Sequence, residues 1–422
     1  MNRRVAITGL GVVAPGEPGV KPFWARITEG RPATRTPTFF DPAPFRSRVA
    51  AECDFDPVRE GLSPQEIRRM DRSAQFAVVS AREAIADSGL GTGGMPPDRT
   101  GVSIGTAVGG TMNLDEEYRV LSDNGRKWVL DPEYAVPHMY DYTVPSSLAA
   151  EVAWAAGAEG PAAVISTGCT SGIDSVAHAF DLVAEGSADI MVAGASDAPL
   201  SPITFACFDA IKATSNRNDD PEHALRPFDR NRNGFVLGEG GAVLILEEFG
   251  HAAARGAHIY AEILSATSRA NAYHMTGLRP DGLELADAIR AALEQARIAP
   301  EDVGYINAHG TSTKQNDRHE TAAIKAAFGE AAHGVPVSSI KAVVGHSLGG
   351  IGSIEVAASA LAIEHGVIPP TANLTDPDPD LGLDYVPLTA REARLDTVLT
   401  IGSGFGGFQS AMVLAKPRKE ER

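Results

Sequence analysis

Cysteine, basic side chains and long apolar runs are all scarce in this sequence, and each scarcity excludes something. Three cysteines (Cys53, Cys169 and Cys207) among 422 residues are too few for a disulfide framework. No apolar run approaches the roughly 20 residues that span a bilayer, so no membrane role is expected. The opening "MNRRVAITGLGVVAPGEPGV" does set a basic pair before an apolar stretch. Glycines and Pro15 cut that stretch short and no small-residue cleavage site follows, so it reads as a first strand and its turn. With no export signal, a reducing cytoplasm is the expected compartment. The 37 Lys and Arg against 54 Asp and Glu leave a formal charge of -17, without the basic footprint that nucleic acid demands.

What is present is an α/β pattern. Apolar runs such as "RVAITGLGVV", "TGVSIGTAV", "DIMVAGAS", "GAVLILEE" and "TVLTIGSGF" alternate with alanine-rich helical stretches. After Cys169, Ile173, Val176, Ala177, Phe180 and Val183 share one helical stripe. An internal echo runs through the chain. "AAVISTGCTSGIDSVAHAF" and "VPVSSIKAVVGHSLGGIGSIEVAASAL" each read strand, polar loop, helix, while "TGVSIGTAV" and "VGYINAHGTST" each close an apolar strand on Gly-Thr. The expectation is a duplicated α/β unit with halves at residues 1–255 and 256–422, and a capping insertion near 110–145.

Several motifs mislead. The glycines of "TGLGVVAPG" do not fit G-x-G-x-x-G. "DPDPDLGLD" spaces its aspartates like a calcium loop, but Leu381 and Pro387 stand where glycine and glutamate are needed. "HGTSTKQNDRHE" groups His309, Asp317, His319 and Glu320 without a zinc-site pattern, so no metal is expected. "GHSLGG" contains G-x-S-x-G, the elbow on which hydrolases display a serine. Downstream of Ser347 the only histidine is His365, about five turns along the same predicted helix, so the serine has no base.

Cys169 is the better nucleophile. It sits in "VISTGCTSGID" at a strand-turn-helix junction, among small and polar neighbours unlike an apolar core. Helix N-terminal N–H groups there are expected to lower its thiol pKa and to hold an oxyanion. His309 in "NAHGTST" and His346 in "KAVVGHSLGG" end or follow strands, with Lys341 just before the second. Two histidines beside a lysine suit an enolate oxygen, which points to carbon–carbon bond formation rather than hydrolysis.

At these residues the chain resembles the β-ketoacyl-ACP synthases of the thiolase superfamily. The resemblance rests on "VAITGLGVVAPG", "STGCTSGID", "RPFDRNRNGFVLGEG", "NAHGTSTKQNDRHE", "SIKAVVGHSLGGIGSIE" and "GSGFGGFQSA". Within that family it is most similar to the ketosynthase-α subunit of bacterial type II aromatic polyketide synthases, through "TGCTSGID", "YHMTGLRPDG" and "KQNDRHETAA". The resemblance implies a thiolase-like, duplicated, five-layered αβαβα fold and a decarboxylative Claisen condensation of malonyl-ACP onto an acyl chain carried by Cys169. It implies that His309 and His346 hold the enolate, and that the amides of Cys169 and Phe405 form an oxyanion hole. Thr311 and Thr313 are implied near the malonyl or pantetheine group, and Lys341 in a pair with Glu320. Phe235 is implied at the site's mouth, and Phe405, flanked by Gly404 and Gly406, as a gate. No metal, nucleotide or redox cofactor is implied; the substrates ride on the phosphopantetheine of an acyl carrier protein. The implied partner is a chain-length factor in a heterodimer, with a homodimeric fatty-acid 3-oxoacyl-ACP synthase as the alternative. The basic run "EIRRMDR", with Arg68, Arg69 and Arg72, reads first as a solvated helix face, and the resemblance adds a dock for an acidic carrier as the alternative.

Overall fold

A computed structural model describes residues 3–418. Ten strands form its main sheet: β1 (Val5–Val13), β2 (Thr100–Gly105), β3 (Ala162–Ile165), β4 (Ile190–Asp197), β5 (Gly240–Glu248), β6 (Ala261–Ala270), β7 (Tyr305–Asn307), β8 (Val337–Ser338), β9 (Thr397–Gly404) and β10 (Phe408–Ala415). Their order is β8-β7-β9-β10-β6-β1-β5-β4-β2-β3. Split between β6 and β1, this is one pattern written twice, 3-2-4-5-1 in each half. The strand senses repeat as well. In the first half β1–β5 and β5–β4 are antiparallel and β4–β2 and β2–β3 parallel. In the second, β6–β10 and β10–β9 are antiparallel and β9–β7 and β7–β8 parallel. Within the sheet the halves are joined where Val5, Ala6 and Ile7 pair with Ile263, Glu262 and Ala261.

Five layers result. Helices α1 (Arg72–Asp87) and α2 (Ser146–Ala156) cover the outer face of the first five strands, and α4 (Leu283–Ala296) with α5 (Lys314–Phe328) cover the second. Between the two sheets lie α3 (Ser171–Glu185) and α6 (Gly350–His365), each touching strands of both. Of the pair, α6 is buried at every residue from Gly350 to Ile363, while α3 keeps Asp181 and Glu185 exposed. Small residues let the central pair approach. A side-chain carbon at Gly172 would lie 2.3 Å from the Ser353 backbone nitrogen, and one at Gly352 2.7 Å from that of Ile173. Both catalytic turns start these two helices, so the crossing glycines bring the turns together.

Residues 111–143 contain the helices Thr111–Leu121 and Met139–Thr143 and expose Trp128, Val129, Tyr134 and Tyr140. β3 is the outermost strand of its half and only partly covered. No helix among the described residues is long and apolar enough to cross a membrane.

Candidate active site

Cys169 lies in a single helical turn, Gly168–Thr170, that runs directly into α3. The turn is tied from within. Asp174, one turn along α3, accepts hydrogen bonds from Thr167 Oγ1 (2.5 Å) and Thr170 Oγ1 (2.8 Å), and from Ser410 Oγ of β10 (2.6 Å). Gly168 holds φ at 62°, and a side chain there would meet the Phe405 carbonyl at 2.9 Å. The nucleophile turn and the "GFGG" loop therefore touch backbone to backbone, and the Phe405 N–H donates to the Cys169 sulfur. Burial pushes the thiol up to about 11, against that N–H and the Lys341 charge. Against the expected depression, desolvation at this half-buried position outweighs the N–H and the ammonium and raises the thiol.

His309 follows β7, and its neutral ring has an assigned tautomer. Lys341 Nζ lies 3.2 Å from His309 Nδ1 and also donates to the His309 carbonyl oxygen. An ammonium donates only, so Nδ1 is the acceptor and the ring proton sits on Nε2. Burial, then Lys341, hold His309 well below its ordinary pKa, and the same two causes act on His346. The two rings stand nearly perpendicular, centroids 5.4 Å apart. His346 is fixed through its backbone: its N–H donates to Val236 O (2.9 Å), and its carbonyl accepts the Gly238 N–H (3.0 Å). Phe235 meets its ring edge to face at 5.3 Å.

The expected Lys341–Glu320 pair is corrected. Lys341, wholly buried, pairs with Glu355 of α6. Glu320 of α5 instead accepts the backbone N–H groups of His309 (2.5 Å) and Gly310 (2.8 Å), bracing the histidine loop directly. Burial raises Glu320 to about 8 and Glu355 to about 7. Glu355 is the chief residue that sequence reasoning missed. Its signal was a carboxylate set among the glycine, alanine, serine and aliphatic residues of 350–363.

Cys169, His309 and His346 line one cavity of about 480 Å³. Thr311, Thr313, Phe235, Gly404 and Phe405 also line it. The two threonine hydroxyls lie 3.0 Å apart, and Thr313 caps α5 by accepting the Asn316 N–H (3.1 Å). Phe405 stacks on Phe208 at 6.4 Å, and Phe208 in turn meets Phe235 at 5.5 Å. Ser347 is buried with its hydroxyl unpartnered, so the elbow serine has no base to activate it. Asp317 and His319, the other metal-like groups of "HGTSTKQNDRHE", have structural partners. Asp317 pairs with buried Arg232 at 3.4 Å, and His319 Nδ1 donates to the Arg279 carbonyl at 2.6 Å.

The three-arginine dock is corrected as well. Arg69 makes a two-pronged pair with Glu151, at 2.6 and 2.7 Å. Arg72 does the same with fully buried Glu239, at 2.8 and 2.7 Å, packed against the rings of Phe39, Phe55 and Phe76. Only Arg68 is exposed.

Models of one protein family match most of the chain. The β-ketoacyl synthase N-terminal domain matches residues 2–252 and the C-terminal domain residues 260–375. The chain is 64% identical over 418 residues to the oxytetracycline polyketide putative β-ketoacyl synthase 1 of Streptomyces rimosus, covering 99% of this chain and 98% of that one. It is 62% identical, with the same coverage, to the tetracenomycin polyketide synthase ketoacyl synthase alpha subunit of Streptomyces glaucescens. Similarity to the 3-oxoacyl-[acyl-carrier-protein] synthase 2 of Synechocystis sp. is lower, 41% over 416 residues and 98% of both chains. Among solved structures, it matches a type II polyketide synthase acyl-carrier protein in complex with its ketosynthase bound to the hexaketide. That match has a TM-score of 0.93 at 39% identity and covers 99% of this chain and all of that one. The ishigamide ketosynthase/chain length factor matches with a TM-score of 0.89 at 33% identity, over the same shares.

Proposed function

The chain belongs to the β-ketoacyl synthase family, and from that premise we propose that it is the condensing ketosynthase-α subunit of a type II polyketide synthase. One observation carries the chemistry: a thiol and two neutral histidines face one cavity, with Lys341 holding the His309 proton on Nε2.

In the first step the Cys169 thiol attacks an acyl thioester on the carrier protein. The new Cys169 thioester forms, and the thiol proton leaves with the carrier's pantetheine sulfur. Malonyl-ACP then enters, with Thr311 and Thr313 offering hydroxyls beside its arm. As CO2 departs, negative charge collects on the malonyl thioester oxygen, where the N–H groups of His309 and His346 receive it. Neutral histidines suit this role, because they donate a hydrogen bond without protonating the enolate carbon. That carbon attacks the Cys169 thioester, whose oxyanion falls to the amides of Cys169 and Phe405. Collapse expels the Cys169 thiolate, which takes up one proton to restore the thiol. The sum is one thioester lengthened by two carbons, one CO2 released and one proton consumed. It balances without metal, nucleotide or redox cofactor.

The partners follow the structural relatives: an acyl carrier protein that delivers substrate, and a chain-length factor as the second subunit. Lys212 and Lys314, exposed at the cavity's rim, are cations suited to an acidic carrier. The cytoplasm fits a chain whose three cysteines are all free. The test is acyl loading and malonyl-ACP decarboxylation with Cys169→Ala. Loss of the acyl-enzyme with retained CO2 release is the expected result, whereas an acyl-enzyme on Cys169→Ala refutes the scheme.

A further inference from the structure

His346 has no side-chain anchor: its Nδ1 is buried without a hydrogen-bond partner, as is the neighbouring Ser347 hydroxyl. The direction of its ring toward the cavity therefore depends on the turn that carries it. That turn is wound through left-handed backbone on both sides, with Gly345 at φ 72° and Leu348 at φ 48°. Leucine pays for such a conformation with strain, so something must hold it there.

The holding group is Asp197, the last residue of β4 and fully buried. Its Oδ2 accepts the Gly349 N–H at 2.7 Å, three residues after His346. The same oxygen accepts the Ala107 N–H at 2.8 Å, and Oδ1 accepts the Thr106 hydroxyl at 2.6 Å and the Val108 N–H at 3.3 Å. One carboxylate thus receives four donors from two segments. Packing at the junction is tight enough to transmit position: a side-chain carbon at Gly349 would lie 2.5 Å from the Ala107 nitrogen and 2.6 Å from Asp197 Oδ2. Residues 106–108 open the insertion that carries the exposed Trp128 and Tyr140. The junction therefore ties the histidine turn to that surface as well as to β4.

We propose that Asp197 is a positioning residue for the decarboxylation half-reaction, holding the Gly345–Gly349 turn so that the His346 ring meets the enolate oxygen. The inference rests on the condensing reaction proposed above. It separates the two half-reactions, because acyl loading uses the Cys169 thiol and the Phe405 amide, whereas CO2 release uses His346. A neutral amide at 197 offers one acceptor oxygen and turns an NH2 group against N–H donors, so the turn loses half its anchorage.

The experiment compares Asp197→Asn with wild type in two assays: acyl loading of Cys169, and CO2 release from malonyl-ACP at saturation. A displacement of about 1 Å costs about a hundred-fold in a positioned reaction, so kcat for CO2 release should fall by about that factor with KM unchanged. Acyl loading should stay within about three-fold. Thr106→Val removes one of the four donors to the carboxylate and leaves the other three in place. It should show the same one-sided loss at about five-fold, and it decides the matter if Asp197→Asn does not fold. Equal loss in both half-reactions, or none in either, overturns the assignment of Asp197. Failure of wild type itself to release CO2 from malonyl-ACP refutes the underlying reaction instead.

Discussion

Replacing Lys341 by alanine withdraws one cation from three acceptors at once: Glu355 Oε1, the His309 carbonyl and His309 Nδ1. Breaking a buried ion pair costs about 3–5 kcal/mol when the remaining charge stays ionised. Here the remaining carboxyl has an escape. Burial already raises Glu355 to about 7 against the pull of Lys341, and without that pull it rises further. Near neutral pH the orphaned carboxyl takes a proton, and the loss shrinks to unmade hydrogen bonds, about 1–3 kcal/mol per orphaned group. The destabilisation should therefore grow as pH rises and Glu355 is forced to ionise without a partner. Glu355→Gln removes the directly paired ionisable group, so in that background the pH dependence of the Lys341→Ala cost should shrink to the part carried by Glu320, whose carboxyl the Lys341 charge also pulls down. Urea unfolding of the four proteins at about pH 6 and about pH 9 closes the cycle. The chemistry should fall with the stability, because nothing then holds the His309 proton on Nε2. Loss of one such donor costs about 10²–10³-fold, which sets the expected drop in CO2 release. Destabilisation equal at both pH values, together with CO2 release within about two-fold of wild type, refutes both the pairing and the tautomer argument.

Three further outcomes follow from the same geometry. Ser347→Ala deletes a buried hydroxyl that has no partner, so stability should change by less than about 1 kcal/mol and condensation should persist; abolished condensation would revive the serine. Glu320 titrates at about 8 in the folded chain against an ordinary 4.5, so the folded state binds more protons across that window and stability falls as pH rises through it. The depressed histidines act in the opposite sense only below 6.5, and Glu355 is half titrated at about 7, so toward pH 8 the larger share of the slope belongs to Glu320. Melting curves of Glu320→Gln across that interval should be flatter than wild type. Arg72→Ala strands the buried Glu239 carboxylate and should cost about 3–5 kcal/mol in chemical denaturation. Arg68→Ala, at an exposed position, should stay within about 0.5 kcal/mol, and the reverse order would restore the three-arginine surface.

The alternation of apolar runs with alanine-rich stretches was enough to read an α/β fold, because strand and helix periods are local properties. The echo between "STGCTSGID" and "VVGHSLGGIGSIE" anticipated that the Cys169 and His346 turns each lead into a helix; that both helices pack in the central layer is a property of the fold. The arginines show where local reading stops. Arg68, Arg69 and Arg72 are alike as a string. Only the fold sets Glu151 beside one, Glu239 beside another and solvent beside the third.

The sequence by itself determined the residue types of the chemistry: a cysteine at a strand-helix turn, two histidines in glycine-rich loops and a lysine before the second. Those follow from what a condensation needs and from patterns a few residues long. Tertiary structure alone decided which carboxylate does what. Glu355 neutralises Lys341, Glu320 braces the His309 loop, and Asp197 anchors the turn of His346 across 152 residues of chain. It also decided that the Cys169 thiol is raised rather than depressed, since burial outweighs the nearby N–H and ammonium. The physical reason is the same in each case. Pairing and desolvation depend on distance in space, and a mixed sheet with crossover helices puts many close neighbours far apart in sequence.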